Sequence, residues 1–342
     1  MKLISKKISK LLFAAACCMI CINVVAQDIH FSQFYCAPLV INPAKTGNFN
    51  GDYRLTGIHR NQWKSVTVPY KTFSGSFDMR INEAEESKGF LSAGIVFNND
   101  KAGDSDFGLT EGALSVAYSF YIDKDKKNMI TAALQPGFAQ KSINYGNLTF
   151  DSQYNGDVFD PSAPTNETFN KSSITYFDIN TGLHFRHVNE DKFALSSGIG
   201  MQHLNKPEQN FFSDKVTLFP RYAFDLNLGI KASERIYVLP SLLYQMQGKF
   251  TELNGGGNVK FALSKNEKNE MAIYLGGFFR TKDAGIARVG LDYNNLHLGF
   301  AYDFNTSDLD RASNGKGGYE MALIYIFKKV KPLKINPPCP VY

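Results

Sequence analysis

The chain has 342 residues, 44% of them hydrophobic and 20% charged, with a formal net charge of +5. Lys2, Lys6, Lys7 and Lys10 account for four of those five positive charges, so the rest of the chain carries only +1 and has no electrostatic case for nucleic acid. Beyond the first 26 residues no stretch reaches the about 18 uninterrupted apolar residues of a membrane-crossing helix, which excludes a helical membrane protein.

Residues 1–26 read as a cleaved secretory signal peptide: lysines, then the apolar run Leu11 to Val25, then the small or branched Val24, Val25 and Ala26 before a mature Gln27. A lipoprotein acylated at Cys17 or Cys21 is disfavoured, because neither follows a convincing lipobox. Three of the five cysteines leave with the leader, and Cys36 and Cys339 remain, one near each end. In an exported protein they can form a disulfide or stand as two separate thiols.

Residues 27–50 form an apolar, aromatic segment, QDIHFSQFYCAPLVINPAKTG followed by NFN, interrupted by Pro38 and Pro43. Each proline removes a backbone donor and biases its predecessor toward extended geometry. The expectation is an extended segment docked at the mouth of the domain that follows, as a plug or a partner-binding element. Phe31, Phe34, Tyr35, Pro38, Leu39, Asn42 and Pro43 are the candidate docking residues, and Val40 and Ile41 add to the apolar surface that a free tail would leave in water.

From residue 51 to 328 apolar and polar residues alternate at period two, the signature of strands with one greasy and one polar face. In Thr110 to Phe120, Leu114, Val116, Tyr118 and Phe120 oppose Ala113, Ser115, Ala117 and Ser119. In Leu296 to Asn305, Leu296, Leu298, Phe300, Tyr302 and Phe304 alternate with His297, Gly299, Ala301, Asp303 and Asn305. Together with 28 Phe, 17 Tyr and a single Trp, this pattern predicts an all-β, antiparallel transmembrane barrel of the outer membrane with about 14 strands. An even count puts the start of the first strand and the end of the last on one side, expected to be periplasmic with both chain termini, and residues 329–342 form a C-terminal tail there. Alternate connectors are compact and charged (INEAEESK, DKDKKN, VNED, KASER, SKNEKNE, YNN), whereas the other set holds the long stretches Ile143 to Ser172, Asn205 to Lys215 and Asn305 to Gly317. A soluble β-sandwich would share the alternation but not this number of strands in one chain without a linker.

No catalytic or cofactor signature is present: there is no G-x-S-x-G, H-E-x-x-H, P-loop or paired-Cys zinc spacing, and the expectation is a non-enzymatic protein without cofactor or metal. The polar faces carry charges of both signs: Asp178, Arg186, Arg221, Asp225, Arg280, Arg288, Asp292, Asp303 and Glu320. Inside a barrel these predict a salt-bridged lumen more readily than a selective pore. Barrels of eight strands fill themselves with side chains and those of sixteen conduct, so a barrel of about 14 must be plugged or open.

The order of several motifs resembles one family over the whole mature chain. QDIHFSQFYCAPLVINPAKTG and RNQW (Arg60 to Trp63) are followed by YFDINTGL (Tyr176 to Leu183), HLNKP (His203 to Pro207), LPSLLYQMQG (Leu239 to Gly248), GGFFRTKDAGI (Gly276 to Ile286) and LGFAYDFNTSDLDRASNGKGGYEMAL (Leu298 to Leu323). This is similar to the PorP/SprF outer-membrane proteins of the Bacteroidota. The resemblance implies a component of the type IX secretion system, which exports proteins bearing a C-terminal signal and, in gliding bacteria, delivers surface adhesins. It further implies as partners outer-membrane lipids, periplasmic ring and motor proteins, an OmpA-like peptidoglycan-binding lipoprotein and adhesin-type cargo. Cys36 departs from the Asn expected before Ala-Pro-Leu, which strengthens the case for pairing with Cys339. The alternative function is a general diffusion channel or solute transporter.

Overall fold

The computed structural model describes residues 28–64, 68–81, 88–189, 192–211, 215–266, 269–307 and 310–328. The expected leader, residues 1–26, and the tail, residues 329–342, lie outside them. Fourteen strands follow one another: β1 (Tyr53–Gln62), β2 (Tyr70–Ile81), β3 (Gly89–Ala102), β4 (Phe107–Tyr121), β5 (Asn128–Ser142), β6 (Ser173–Asn189), β7 (Phe193–Gln202), β8 (Arg221–Lys231), β9 (Ile236–Gln247), β10 (Phe250–Asn266), β11 (Asn269–Arg280), β12 (Ala284–Tyr293), β13 (Leu296–Asn305) and β14 (Lys316–Phe327). Each pairs antiparallel with its sequence neighbours, and β1 closes on β14 from Tyr53 opposite Phe327 to Gln62 opposite Gly318, so the sheet is a closed barrel without an edge.

The alternation inverts the usual inside and outside. Leu114, Leu134, Phe138 and Leu183 are 53–64% exposed on the outer wall, while Arg60, Asp225 and Glu320 are at most 1% exposed inside. A continuous exterior of Leu, Ile, Val, Phe and Tyr is tolerable only against hydrocarbon, because monomers in water do not carry apolar surface on that scale.

Two ladder interruptions sit at prolines. The β4–β5 pairing skips from Ala113 opposite Gly137 to Val116 opposite Leu134, and β8–β9 skips from Asn227 opposite Ser241 to Ile230 opposite Val238. Pro136 and Pro240, which have no N–H to donate, lie in those gaps and keep regular register with their other neighbours, opposite Ile179 and Gly257.

The loops sort by length onto the two mouths. One mouth carries the connections after β5 and β7, spanning 143–172 and 203–220, and that after β13; the other carries tight turns, the start of β1 and the end of β14. These are the long-loop mouth and the short-turn mouth.

Leu134 points outward from the middle of β5. Leu134→Arg is expected to lower folding stability by about 2–4 kcal/mol, the cost of a cation at the bilayer midplane. Denaturant titration in phospholipid bilayers measures it, and the same substitution on a loop is the control.

Candidate functional site

The lumen is occupied by residues 28–50. The segment begins at the long-loop mouth, where the Asp28 amide donates to Gln247 Oε1 at the end of β9 (3.1 Å), and ends at the short-turn mouth, where Arg80 of β2 donates to the carbonyls of Gly47 and Phe49. This corrects the expectation of docking across a single mouth. Because β1 starts at the short-turn mouth, a segment ahead of it that enters the lumen must run away from that mouth, so the described chain ends lie at opposite mouths.

Nor is the segment extended. It coils through a 3₁₀ turn at Phe34–Cys36, one α-helical turn at Pro38–Ile41 and a second 3₁₀ turn at Pro43–Lys45. Both prolines open a helical turn, where the missing N–H would be unpaired anyway. The bias toward extended geometry appears only in the residue before Pro43: Asn42 has φ −153° and ψ 114°, and its side chain accepts from the Ala44 amide (2.9 Å).

Apolar contacts seat the segment at three places, the smallest where Ala44 meets Ala117 and Ala133. Phe34 and Ile41 pack with Ala223, Leu243, Phe278, Ile286 and Ala301 from five strands, with Phe34 edge-on to Phe278 at 6.3 Å. Ile29, Phe31, Cys36 and Ala37 pack on Ile58 and Ala322. Phe31, Phe34, Leu39 and Ile41 are at most 1% exposed, and each such burial is worth about 1.5–3 kcal/mol. Pro38 and Pro43 are also buried, and Tyr35 and Val40 half-buried. Opposite Asn42 the wall consists of Gly182, Gly198 and Gly200; a Cβ on Gly200 would collide with the Ile41 carbonyl, and one on Gly182 with the Asn42 side chain. With no side chain in the way, Asn42 Nδ2 donates to the Leu183 carbonyl (3.0 Å).

Charged side chains fasten the segment at three levels. Nearer the long-loop mouth, Glu320 accepts from the Ser32 and Gln33 amides (2.5 and 3.0 Å), and the Ser32 hydroxyl donates to Asp303 (2.7 Å). Asp303 is held in turn by Arg60 (3.0 Å) and Arg280 (2.7 Å), which are each 1% exposed. At that mouth itself, His203 has one ring nitrogen 2.6 Å from Asp28 and the other 2.9 Å from Asp178, so both nitrogens donate and the ring is an imidazolium. Burial opposes that charge, but the two carboxylates prevail and push the His203 pKa up to about 10. Nearer the short-turn mouth, Lys45 pairs with Asp225 (2.5 Å), and Arg54 forks onto Asp78 (2.9 and 2.8 Å) while donating to the Lys45 carbonyl.

All nine sequence-selected charges line the lumen, but same-strand neighbours such as Arg221 and Asp225 do not pair, being about 13 Å apart at strand rise. Most reach the segment instead. Arg221 donates to the Ile29 carbonyl (3.0 Å), and Arg288 to Gln33 (3.0 Å) and Asn258 (2.9 Å). Asp292 accepts from Lys260 (2.9 Å), Tyr274 (2.5 Å) and His297 (2.5 Å), and Arg186 lines a cavity at the short-turn mouth. Sequence reasoning missed Asp28, Lys45, Arg54, Arg60, Asp78 and His203. Arg54, Arg60 and Asp78 lie on the polar registers of β1 and β2, a signal that was there to read, but Asp28 and Lys45 gain a role only once the segment is inside. Cys36 is a buried thiol, and Cys339 lies outside the described residues. Among the described residues no group of three or more His, Cys, Asp or Glu side chains is placed to hold a metal ion.

Residues 23–325 match the family model of the type IX secretion system membrane protein PorP/SprF. The chain belongs to this family. No curated protein sequence matches it. Among solved structures, this PorP/SprF barrel is similar to the Ralstonia pickettii toluene transporter TbuX (10% identity, 86% of this chain and 94% of that one, TM-score 0.48). It is also similar to a Pseudomonas aeruginosa FadL homologue (9% identity, 84% and 93%, TM-score 0.48) and the Pseudomonas putida toluene transporter TodX (8%, 84% and 92%, TM-score 0.47).

Asp303→Ala removes the carboxylate that Arg60 and Arg280 share, leaving Arg60 with Glu320 and Arg280 with Asp283, and is expected to destabilise the fold by about 1–3 kcal/mol. The urea midpoint should fall, and residues 28–50 should become cleavable by protease in the isolated barrel. A second expectation concerns alkali. With a folded pKa near 10 against an ordinary 6.5, the stabilisation from His203 is complete below the ordinary value and is lost as pH rises through about 10. Protection factors near residue 28, taken relative to the intrinsic base-catalysed exchange rate, should therefore fall between about pH 6.5 and 10, and His203→Gln should abolish that pH step.

Proposed function

We propose that this PorP/SprF protein is a sealed, non-enzymatic scaffold of the outer membrane, supporting type IX secretion or surface attachment of cargo such as adhesins. The observation that carries this reading is the lumen: a segment of the chain itself runs through it and is held at three levels by charged side chains, through ion pairs at Asp28 and Lys45 and through hydrogen bonds from Ser32 and Gln33 to buried carboxylates. A solute pathway would need that segment to leave, and the ion pairs would then have to break in a lumen with few other partners. By the rule that barrel turns are short on the periplasmic side, the short-turn mouth and the C-terminal end face the periplasm. There the periplasmic ring proteins and an OmpA-like peptidoglycan-binding lipoprotein are the expected partners. The loop 143–172 would face outward toward cargo, and in a gliding host that cargo would include motility adhesins.

Two measurements test the reading. The purified protein in planar bilayers should be electrically silent, and a variant lacking residues 28–49 should conduct; steady conductance of the intact protein favours the channel alternative. In cells, deleting the gene should leave proteins with the C-terminal secretion signal cell-associated or degraded, and normal surface display of all of them would sink the proposal.

A further inference from the structure

The short-turn mouth opens into a cavity of about 440 Å³ between the segment and the walls of β1 and β6 to β14, a size typical of ligand sites. Lys45, Arg54, Arg186 and Arg288 line it with His184 and His297, and no Asp or Glu does. Lys45 and Arg54 are matched by Asp225 and Asp78. Arg288 differs. It is 4% exposed, its guanidinium lies over the rings of Tyr35 (5.0 Å) and Tyr274 (5.6 Å), and its acceptors are all neutral. They are Gln33 Oε1 (3.0 Å), Asn258 Oδ1 (2.9 Å) and His297 Nε2 (2.7 Å).

The nearest acid in this network is Asp292, which reaches Arg288 only through His297: its carboxylate holds His297 Nδ1 at 2.5 Å, so that Nε2 is left to accept from Arg288. The charge of Asp292 is itself matched by Lys260 at 2.9 Å. Among the described residues Arg288 therefore has no carboxylate within ion-pair distance. A guanidinium offers five N–H donors, of which these three acceptors take three, leaving one on each terminal nitrogen. A buried cation without a counter-ion is costly, and a carboxylate in bidentate contact is the group that matches a guanidinium best.

We propose that this vestibule is a receptor for a carboxylate presented by an acidic peptide segment of a partner protein, with Arg288 as the cation that pairs with it. The cavity holds a few side chains and not a folded domain, so the ligand is an extended segment. The partner's location rests on the short-turn mouth being periplasmic, but the binding chemistry does not, so a negative binding result with intact cargo display would leave the scaffold role standing.

The test uses the full chain in detergent and a labelled octapeptide of alternating Glu and Gly, compared with its Gln counterpart by fluorescence anisotropy. The Glu peptide should bind, weaken with salt, and exceed the Gln peptide at least tenfold. Asn258→Asp supplies the missing carboxylate at nearly unchanged shape beside Arg288; it should cut peptide affinity at least tenfold while the urea midpoint holds or rises. Arg288→Gln should lose binding as well. Equal binding of the Glu and Gln peptides, or Asn258→Asp binding like wild type, would overturn the proposal. Displacement of the peptide by succinate at equal carboxylate concentration would overturn the peptide assignment in favour of a free small anion.

Discussion

A closed barrel of fourteen strands has a circumference too large for its own inward side chains to fill, and its inward faces are charged. Those charges cannot remain where they are without partners, because a carboxylate or guanidinium removed from water costs several kcal/mol unless an opposite charge and hydrogen bonds receive it. The segment 28–50 meets that requirement. It brings Asp28, Lys45 and a row of backbone amides and carbonyls into the barrel, and Glu320, Asp303, Asp225, Asp78, Arg221 and Arg80 each engage it.

The segment binds in two different ways at once. Phe31, Phe34 and Ile41 find apolar islands on an otherwise polar wall, formed by Ile58, Ala223, Leu243, Phe278 and Ile286, and these contacts supply non-directional burial. The ion pairs and the Asn42 contact over three wall glycines are directional and set the path. A polar surface with a few apolar sockets specifies one docked conformation better than either surface alone would, since a misplaced loop would bury unpaired charge.

This architecture separates the two mouths in character. The long-loop mouth is stitched shut by the Asp28–His203–Asp178 chain, whereas the short-turn mouth keeps a basic vestibule. The barrel is thus filled through its middle and open as a basin at one mouth, in a chain that belongs to a secretion-system membrane protein family.

The strands were legible in the sequence because a lipid-facing wall imposes period two on the strands between Tyr53 and Phe327: the Leu296–Asn305 strand shows the same two faces in sequence and structure, and all long connectors fall at one mouth. The lumen charges were legible for the same reason, as polar positions on the inward register. Their pairing was not. Asp225 meets Lys45 across 180 residues and Ser32 meets Glu320 across 288, distances that no local pattern encodes. The sequence by itself determined the barrel, its strand number, the identity of the inward charges and the apolar character of the leading segment, because each depends on neighbours along one strand or on composition. Only the tertiary structure decided that this segment coils through the lumen to the far mouth and which charges it satisfies, because that outcome depends on the free energy of filling a closed space whose shape exists only after all fourteen strands have closed.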